Sequence, residues 1–249
     1  FELSGHSAAD AEAQAKRVLA LETRIAEISR KRADLRDPEK NYNKMTPADV
    51  TARHTPSIVW TDRLAAWTLK PGYVIVGQPE FFTALEQTLA KTPVPVLKDY
   101  LRFHLVSEYA DSLSKAIDDE NFAFYHQVLS GQKEQRPRWK RVLDTEDTAM
   151  GMVLGRIFVK EYFPEATKKR YADLVEAIRT SYGERITKLD WMSDATKAKA
   201  QEKLAAITKK VGYPDKWKDY SALVVSRDSY CLNMMNAAKW RFNDMVSKF

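Results

Sequence analysis

The sequence predicts a mainly α-helical protein, a multi-helix domain with about nine or ten helices and one short strand. Apolar residues recur at steps of three and four along most of the chain, which is the period of one helix face. Capping residues and prolines stand where these periodic segments begin. Only residues 73–76, Tyr-Val-Ile-Val, form a compact β-branched run with glycines on both sides.

The composition narrows the class of protein further. The 249 residues include 40 Lys and Arg against 34 Asp and Glu, a net charge of +6, and 44% are hydrophobic. Acids and bases alternate along nearly every predicted helix, so we expect no nucleic-acid groove. Cys231 is the one cysteine, which excludes an internal disulfide and a multi-cysteine zinc site. The longest apolar stretches, such as residues 149–154, are too short to cross a bilayer.

In the first part of the chain, residues 8–35 predict one long amphipathic helix. Its basic run at residues 30–32 is interpreted as a solvated helix end, where cations complement the helix dipole. Thr46, followed by Pro47, supplies an N-cap and a first-turn proline for a short helix. Another helix is expected over residues 58–67, before the strand.

The remainder predicts helices separated by proline and glycine breaks. They are expected over residues 78–91, 95–113, 118–129, 138–163, 166–189, 193–210 and 226–249. Asp118 is interpreted as a helix cap. Gly151 and Gly155 form a G-x-x-x-G that indicates close helix packing, since the apolar segment of a membrane dimer is missing. No repeat of 20–50 residues indicates a solenoid.

The residue patterns alone identify no catalytic chemistry. The histidines lie far apart in sequence, and there is no H-E-x-x-H. Cys231 stands in an apolar context that does not activate a thiol. Paired carboxylates flank helices and need no catalytic explanation. No glycine-rich nucleotide loop occurs. The four histidines, each interpreted as an ordinary surface or packed residue, are His6, His54, His104 and His126.

Several long strings carry a family resemblance. RDPEKNYNKMT at residues 36–46 resembles the RDPxxxYNKMT segment of the neprilysin and endothelin-converting-enzyme family of zinc metallopeptidases. NFAFY at 121–125, with EQRPRWKR at 134–141, resembles a second segment of that family. GRIFVKEYFP, LDWM and GYPDKW follow in the family's order, so the resemblance spans essentially the whole chain.

The resemblance implies the family's amino-terminal region. It implies that residues 1–249 form the non-catalytic helical domain that encloses a cavity with the catalytic domain and limits oligopeptide substrates by size. The family's NAxYNP, H-E-x-x-H and E-x-x-x-D segments have no counterpart here. We therefore assign no catalytic, cofactor-binding or metal residue to this chain, expect the zinc in the missing catalytic domain, and predict that the chain alone is inactive.

The matched strings contain aromatic and basic residues with two interpretations each. Three arginines either face the cavity and attract anionic peptide groups, or are exposed to solvent or held in structural ion pairs, and we favour the second interpretation. They are Arg136, Arg138 and Arg141. Five aromatic residues are expected to anchor packing rather than to contact peptide. They are Tyr42, Trp139, Tyr162, Trp191 and Trp217.

Val142 stands where mammalian relatives have a cysteine, which fits a bacterial, exported or periplasmic protein, with a cytoplasmic one as the alternative. Partner expectations also follow. The chain is expected to bind oligopeptides together with the catalytic domain, without nucleic acid or a membrane span, and to self-associate through its exposed interdomain face.

The alternative function is a stand-alone peptide- or protein-binding helical module without the protease half. A nucleic-acid-binding helical protein is the third hypothesis, and it predicts affinity that falls steeply with salt.

Overall fold

Ten α-helices and one two-stranded antiparallel sheet make up the fold. The computed structural model describes all 249 residues. They divide into two compact units, which are Phe1–Gln135 with Val225–Phe249 (the first unit) and Arg136–Val224 (the second unit). The mainly α fold class is confirmed. A single domain over residues 1–249 stays a prediction.

The first unit contains seven α-helices, the sheet and one π-helical turn. Its elements are α1 Ala8–Glu27, β1 Asn43–Met45, α2 Pro47–Arg53, α3 Trp60–Ala66, β2 Val74–Val76, α4 Pro79–Lys91, α5 Val94–Glu108, α6 Lys115–Asn121, the π-helical segment Phe122–Val128, and α10 Tyr230–Val246. The second unit holds three long helices. They are α7 Arg138–Tyr162, α8 Glu165–Lys188 and α9 Asp194–Ala206.

The buried hydrophobic core lies mostly in the first unit. Its members are Ala11, Val18, Leu21, Val50, Val76, Ala110, Phe122 and Ala237, whereas Ala149 is the one buried apolar residue of the second unit. No helix is long and apolar enough to cross a membrane.

The predicted strand has a partner that the sequence did not indicate. Val74–Val76 pairs antiparallel with Asn43–Met45, with Lys44 opposite Ile75. The sequence predicted one strand, whereas the structure has two. Strand β1 was missed because Asn-Lys-Met has little β-propensity and becomes a strand only through pairing. Immediately after it, Thr46 accepts a hydrogen bond from the Asp49 backbone N–H, and Asp49 accepts one in return. This capping box confirms the predicted start of α2.

Helix α1 ends at Glu27, eight residues before the predicted end. Beyond α1 the chain leaves the helical path, and the Arg30 side chain bonds residues that are distant in sequence. Its guanidinium forms a two-pronged ion pair with Glu80 and donates to the carbonyls of Lys40 and Gly77, both at 3.0 Å. The pKa of Glu80 is held below its usual value, chiefly by this bond from Arg30. The interpretation of residues 30–32 as a solvated helix end was therefore wrong for Arg30, which ties the end of α1 to the sheet region and α4.

Helices α1 and α5 are joined by a buried carboxylate. Asp99 accepts hydrogen bonds from Gln14 Nε2 at 3.2 Å and from an Arg17 guanidinium nitrogen at 2.7 Å. Both donors lie on α1, one turn apart, so one buried acceptor aligns the two helices.

Asp118 is not a helix cap. Ser114 is the N-cap residue of α6, and Asp118 is buried within that helix, where its carboxylate accepts a bond from Gln135 Nε2 at 3.1 Å. The predicted helix over residues 118–129 is also divided. Its second half is the π-helical segment, in which the Phe124 carbonyl accepts from the Leu129 N–H, five residues on.

Candidate functional site: the exposed apolar surface of the second unit

Helix α8 carries apolar residues that this chain covers only in part. Tyr171, Leu174, Ile178 and Tyr182 follow at steps of three, four and four and so share one helix face. We call these four residues the α8 stripe. Their exposed fractions lie between 48% and 59%, and none of the 24 residues of α8 is buried. A helix in a protein is stabilised mainly by packing its apolar face, so the stripe has the properties of a contact surface.

Polar bonds hold α8 to its neighbour α9. Gln201 Nε2 donates to the Gly183 carbonyl, and an Arg179 guanidinium nitrogen donates to the Ala205 carbonyl, both at 2.7 Å. Lys209 pairs with Glu176 at 3.0 Å and lowers the pKa of that carboxyl. These bonds position α8 without covering its stripe.

Helix α7 exposes apolar residues along most of its length. It has 25 residues, of which Ala149 alone is buried. Phe158 and Tyr162 pack against each other with ring centroids 5.3 Å apart, yet both rings are more than half exposed. The other exposed apolar residues of α7 are Trp139, Leu143, Met152, Val153 and Ile157.

A kink interrupts α7 at Met150, whose φ of −139° and ψ of 28° are not helical. Beside it, a Cβ on Gly151 would lie 2.7 Å from a carboxylate oxygen of Asp147, in the preceding turn of the same helix. A Cβ on Gly155 would lie 3.7 Å from the Trp217 ring, which belongs to a loop. The prediction that the G-x-x-x-G packs against another helix was therefore wrong. Gly151 makes room for a carboxylate, whereas a Cβ on Gly155 would make an ordinary contact with the indole.

An aromatic cluster closes the second unit around the matched string GYPDKW at residues 212–217. Tyr213 and Trp217 stack with centroids 6.0 Å apart and ring planes 6° from parallel. Phe163 meets Tyr213 edge to face. Lys168 Nζ lies 4.3 Å from the centroid of the Tyr213 ring and pairs with Asp215 at 2.6 Å, which lowers the pKa of Asp215. This cluster joins the end of α7, the start of α8 and the loop.

Four of the five aromatic residues expected to anchor packing are on the surface. Tyr42, Trp139, Tyr162 and Trp191 are between 62% and 72% exposed. Trp217 alone is half-buried and packed, as expected. The expectation failed because an aromatic residue in a matched string does not show whether this chain covers its side chain.

The arginines of the string EQRPRWKR do not converge on a pocket. Arg136 forms an ion pair with Asp144, and Arg141 Nε donates to the Arg136 carbonyl at 3.1 Å. These bonds stabilise the first turns of α7. Arg136 thus makes a structural ion pair, whereas Arg141 bonds a backbone carbonyl. Arg138 is exposed and lines a shallow open surface with Trp139.

The histidines are not brought together. His54 Nδ1 lies 2.8 Å from Thr83 Oγ1, and His104 Nε2 lies 2.6 Å from a carboxylate oxygen of Glu22. The other two contact aromatic rings and are His6 and His126. No group of three or more His, Cys, Asp or Glu side chains could hold a metal ion. The residues of this chain therefore do not fit a zinc site.

The comparison with known families decides the identity. The model of the amino-terminal region of peptidase family M13 matches residues 1–214. The chain belongs to peptidase family M13. The resemblance to the amino-terminal region of the neprilysin and endothelin-converting-enzyme family is thereby confirmed, and with it the grouping among neprilysin-like metallopeptidases.

Individual M13 relatives agree with this assignment. Neprilysin-2 of Drosophila melanogaster is 28% identical over 238 residues, which cover 85% of this chain and 30% of the relative. Endothelin-converting enzyme 1 of Rattus norvegicus is 27% identical over 207 residues, covering 81% of this chain and 27% of the relative. The chain thus spans about a third or less of the length of these curated relatives.

Among solved structures, the zinc metalloprotease Zmp1 of Mycobacterium tuberculosis in complex with an inhibitor superposes with a TM-score of 0.85. The match is 30% identical and covers 98% of this chain but 37% of Zmp1. The fold of nearly all of this M13 chain is therefore that of one part of a longer bacterial metalloprotease.

Proposed function

We propose that residues 1–249 are the non-catalytic helical domain of a zinc metalloendopeptidase. In this proposal the domain encloses a cavity together with a catalytic domain, and oligopeptides are cleaved inside it. Membership of family M13 and the match to 37% of Zmp1 support a part within a longer protease. The observation that carries the proposal is the apolar surface of α7 and α8, because helices of this length with almost no buried residues are typical of a part that packs against more protein.

The domain contributes shape and exclusion of water rather than a reacting group. A closed cavity admits peptides that fit and rejects folded proteins, and it strengthens the electrostatic interactions inside by removing water. The zinc would be held by the catalytic domain, since no ligand set exists among these residues. Zinc held there would supply the activation of water for peptide hydrolysis, and no residue of this chain is assigned a part in that step.

The test compares the isolated chain of residues 1–249 with the full natural protein that contains it. Zinc content and cleavage of a fluorogenic oligopeptide are measured for both, and the transcript is sequenced beyond the codon for Phe249. We expect zinc and cleavage in the natural protein and neither in the isolated chain. Stoichiometric zinc and cleavage by the isolated chain would refute the non-catalytic role. A stop codon directly after Phe249 would replace the proposal with a stand-alone binding module.

Size selection has its own experiment. One cleavable sequence is offered to the natural protein as a free peptide and as a loop within a folded carrier domain. Enclosure predicts rapid cleavage of the free peptide and none of the folded carrier. Equal rates would show that the helical domain does not limit access.

We also propose that the isolated chain self-associates through the α8 stripe. Ile178→Lys places a charge within the stripe and is expected to shift the chain toward monomer in sedimentation velocity experiments. Thr180→Lys is the matched control, since Thr180 is exposed and lies about 200° around the helix from Ile178. A monomeric parent chain at high concentration, or equal effects of the two variants, would contradict this.

An exported or periplasmic location is the proposal for the compartment, with a bacterial structural relative as its support. Cell fractionation followed by detection of the natural protein tests it. Recovery in the cytoplasmic fraction alone would refute it.

A further inference from the structure

Helix α8 has a row of cations along one flank of its apolar stripe. Arg170 and Lys188 are separated by about five full helical turns, so they lie at the same angle around the helix. Arg185 lies three residues before Lys188 and about 60° closer to the stripe. All three side chains are exposed. We call Arg170, Arg185 and Lys188 the basic flank.

The charge of the basic flank is not balanced within this chain. None of its three cations forms an ion pair. Glu184 is the nearest acid of α8, but it lies about 40° farther from the stripe than Lys188 and forms no ion pair either. The helix dipole favours Arg185 and Lys188 in the last turn, but not Arg170 near the helix start. Three cations against one carboxylate therefore leave a net positive charge beside the stripe. Three other charged residues of α8 do form ion pairs, and these pairs are Lys168 with Asp215, Lys169 with Asp173, and Glu176 with Lys209.

The other flank of the stripe is taken by α9. Arg179 and Gly183 bond residues of α9, and both lie on the side of the stripe away from the basic flank. The stripe is therefore open toward its basic flank. An element that covers the stripe must contact these apolar residues and also come close to the three cations.

Length and charge restrict what this element can be. The stripe spans about 17 Å from Tyr171 to Tyr182, which is about three helical turns. A second helix covers such a stripe when its own apolar residues follow at steps of three and four. Cations that lose water at an interface without a partner are costly, whereas carboxylates placed opposite them give complementary charge. The covering element therefore needs an apolar face of about three turns with acidic residues along one edge.

A second copy of this chain does not supply those acidic residues. If two stripes pack antiparallel about a two-fold axis, one basic flank lies against the other, and like charges repel. If they pack parallel, each basic flank meets the α9 side of the other copy, where Glu176 is already paired with Lys209. Self-association of the isolated chain therefore uses the apolar stripe alone and leaves the basic flank without a partner.

We propose that the α8 stripe and the basic flank bind an amphipathic helix with acidic residues along one edge, contributed by the part of the natural protein outside residues 1–249. The apolar face of that helix covers the stripe, and its carboxylates pair with the three cations. This inference rests on the proposed function, in which the chain is one domain of a longer protease. The match to 37% of Zmp1 favours protein over a lipid surface as the occupant, because most of that protease lies outside the matched part.

The experiment is a zero-length cross-link in the full natural protein. A carbodiimide joins a lysine amine to a carboxylate that it contacts, and the reagent takes up the water that the new amide bond releases. Mass spectrometry of the digested protein then identifies the residue joined to Lys188. We expect an Asp or Glu outside residues 1–249, in a segment with apolar residues at steps of three and four. Lys188→Arg keeps the charge and abolishes the link, since the guanidinium is not coupled.

Charge reversal gives a second measurement. Lys188→Glu should speed hydrogen exchange of the protected α8 amides about two- to fivefold, the size expected when an exposed ion pair is lost. Replacing the cross-linked acid with lysine in the same protein should restore the parent rate. Thr180→Glu is the matched control, because it adds a negative charge on the far side of α8 and should leave the exchange unchanged.

An internal lysine shows that the coupling works. Lys169 Nζ lies 2.7 Å from a carboxylate oxygen of Asp173, so these two residues should be joined in every sample. Three results would overturn the inference while that control link forms. They are no link from Lys188, links from Lys188 only to residues 1–249 of the same or a second copy, and protection of the α8 amides only when phosphatidylserine vesicles are added.

Zinc content and cleavage of the fluorogenic oligopeptide are measured on the same protein before cross-linking. A protein that cleaves the peptide but gives no link from Lys188 keeps the proposed function and loses this inference. An inactive protein without zinc, in which Lys188 is joined to an acid outside residues 1–249, loses the proposed function and keeps this inference.

Discussion

Replacing Gly212 with alanine tests the aromatic cluster of the second unit. Gly212 has a φ of +67°, and a Cβ at this position would lie 2.8 Å from Cε1 and 3.2 Å from Cζ of the Phe163 ring. The methyl group is therefore disfavoured twice, by the left-handed backbone and by a ring held between α7 and the loop.

The expected loss of stability follows from three terms. A left-handed conformation costs a residue with a Cβ about 1–2 kcal/mol. Overpacking adds about 1–3 kcal/mol when a neighbour must shift. Reduced freedom of the unfolded chain returns about 0.4–1 kcal/mol. The net destabilisation is about 2–4 kcal/mol, which corresponds to a melting temperature lower by about 4–16 °C for a chain of this size.

Two other glycines separate these terms in thermal and urea unfolding. Gly131 has nearly the same φ, +70°, but open space where its Cβ would be, so Gly131→Ala reports the backbone term alone, about 1 kcal/mol. Gly72 has open space and no positive φ, so Gly72→Ala is expected to be nearly neutral.

The contact with the ring can be isolated by a second change. Phe163→Leu removes the ring. The double variant with Gly212→Ala should therefore lose less free energy of unfolding than the two single variants lose together, by about 1 kcal/mol or more. Equal losses in Gly212→Ala and Gly131→Ala, together with additivity in the double variant, would refute the steric reasoning.

Three further predictions concern the first unit. Thr46→Ala breaks the capping box, lowers the free energy of unfolding by about 0.5–2 kcal/mol, and lets the pKa of Asp49 rise toward its ordinary value, as an NMR titration would show; an unchanged Asp49 pKa would count against the cap. Arg30→Gln raises the pKa of Glu80. The pKa of Glu80 is lower in the folded chain than in the unfolded chain. The stability that Glu80 contributes is therefore present above its unfolded pKa and is lost as the pH falls through its folded pKa. The variant should accordingly lose less stability than the parent below about pH 4.3 in acid titration. Asp99→Ala removes the shared acceptor between α1 and α5 and should lower stability by about 1–3 kcal/mol in urea unfolding, whereas a neutral result would show that this bond does not join the helices.

The sequence was sufficient to predict the features that depend on residues close together in the chain. The period of the apolar residues located long helices such as α1 and α8, because one face of a helix must be apolar wherever it packs, and capping residues located others. Thr46 marked a helix start correctly, since it accepts a bond from a backbone N–H three residues on. The long motif strings identified family M13 for the same reason, as they are contiguous and need no fold to be recognised.

Features that depend on distant residues could not be located in this way. Strand β1 exists because Val74–Val76 pairs with it, and Arg30 leaves the helical path because Glu80 and two carbonyls lie where it can reach them. Asp118 was predicted to be a cap because its bond from Gln135, 17 residues away, is not visible in the local sequence.

The sequence by itself determined the helices, their caps and the family of this protein, because each follows from residues within a few positions of one another or from contiguous strings. Only the tertiary structure decided which apolar faces are covered. The α8 stripe and the core of α1 have the same period in sequence, yet one is half exposed and the other buried. The physical reason is that periodicity orients side chains, whereas burial requires a second surface to meet them.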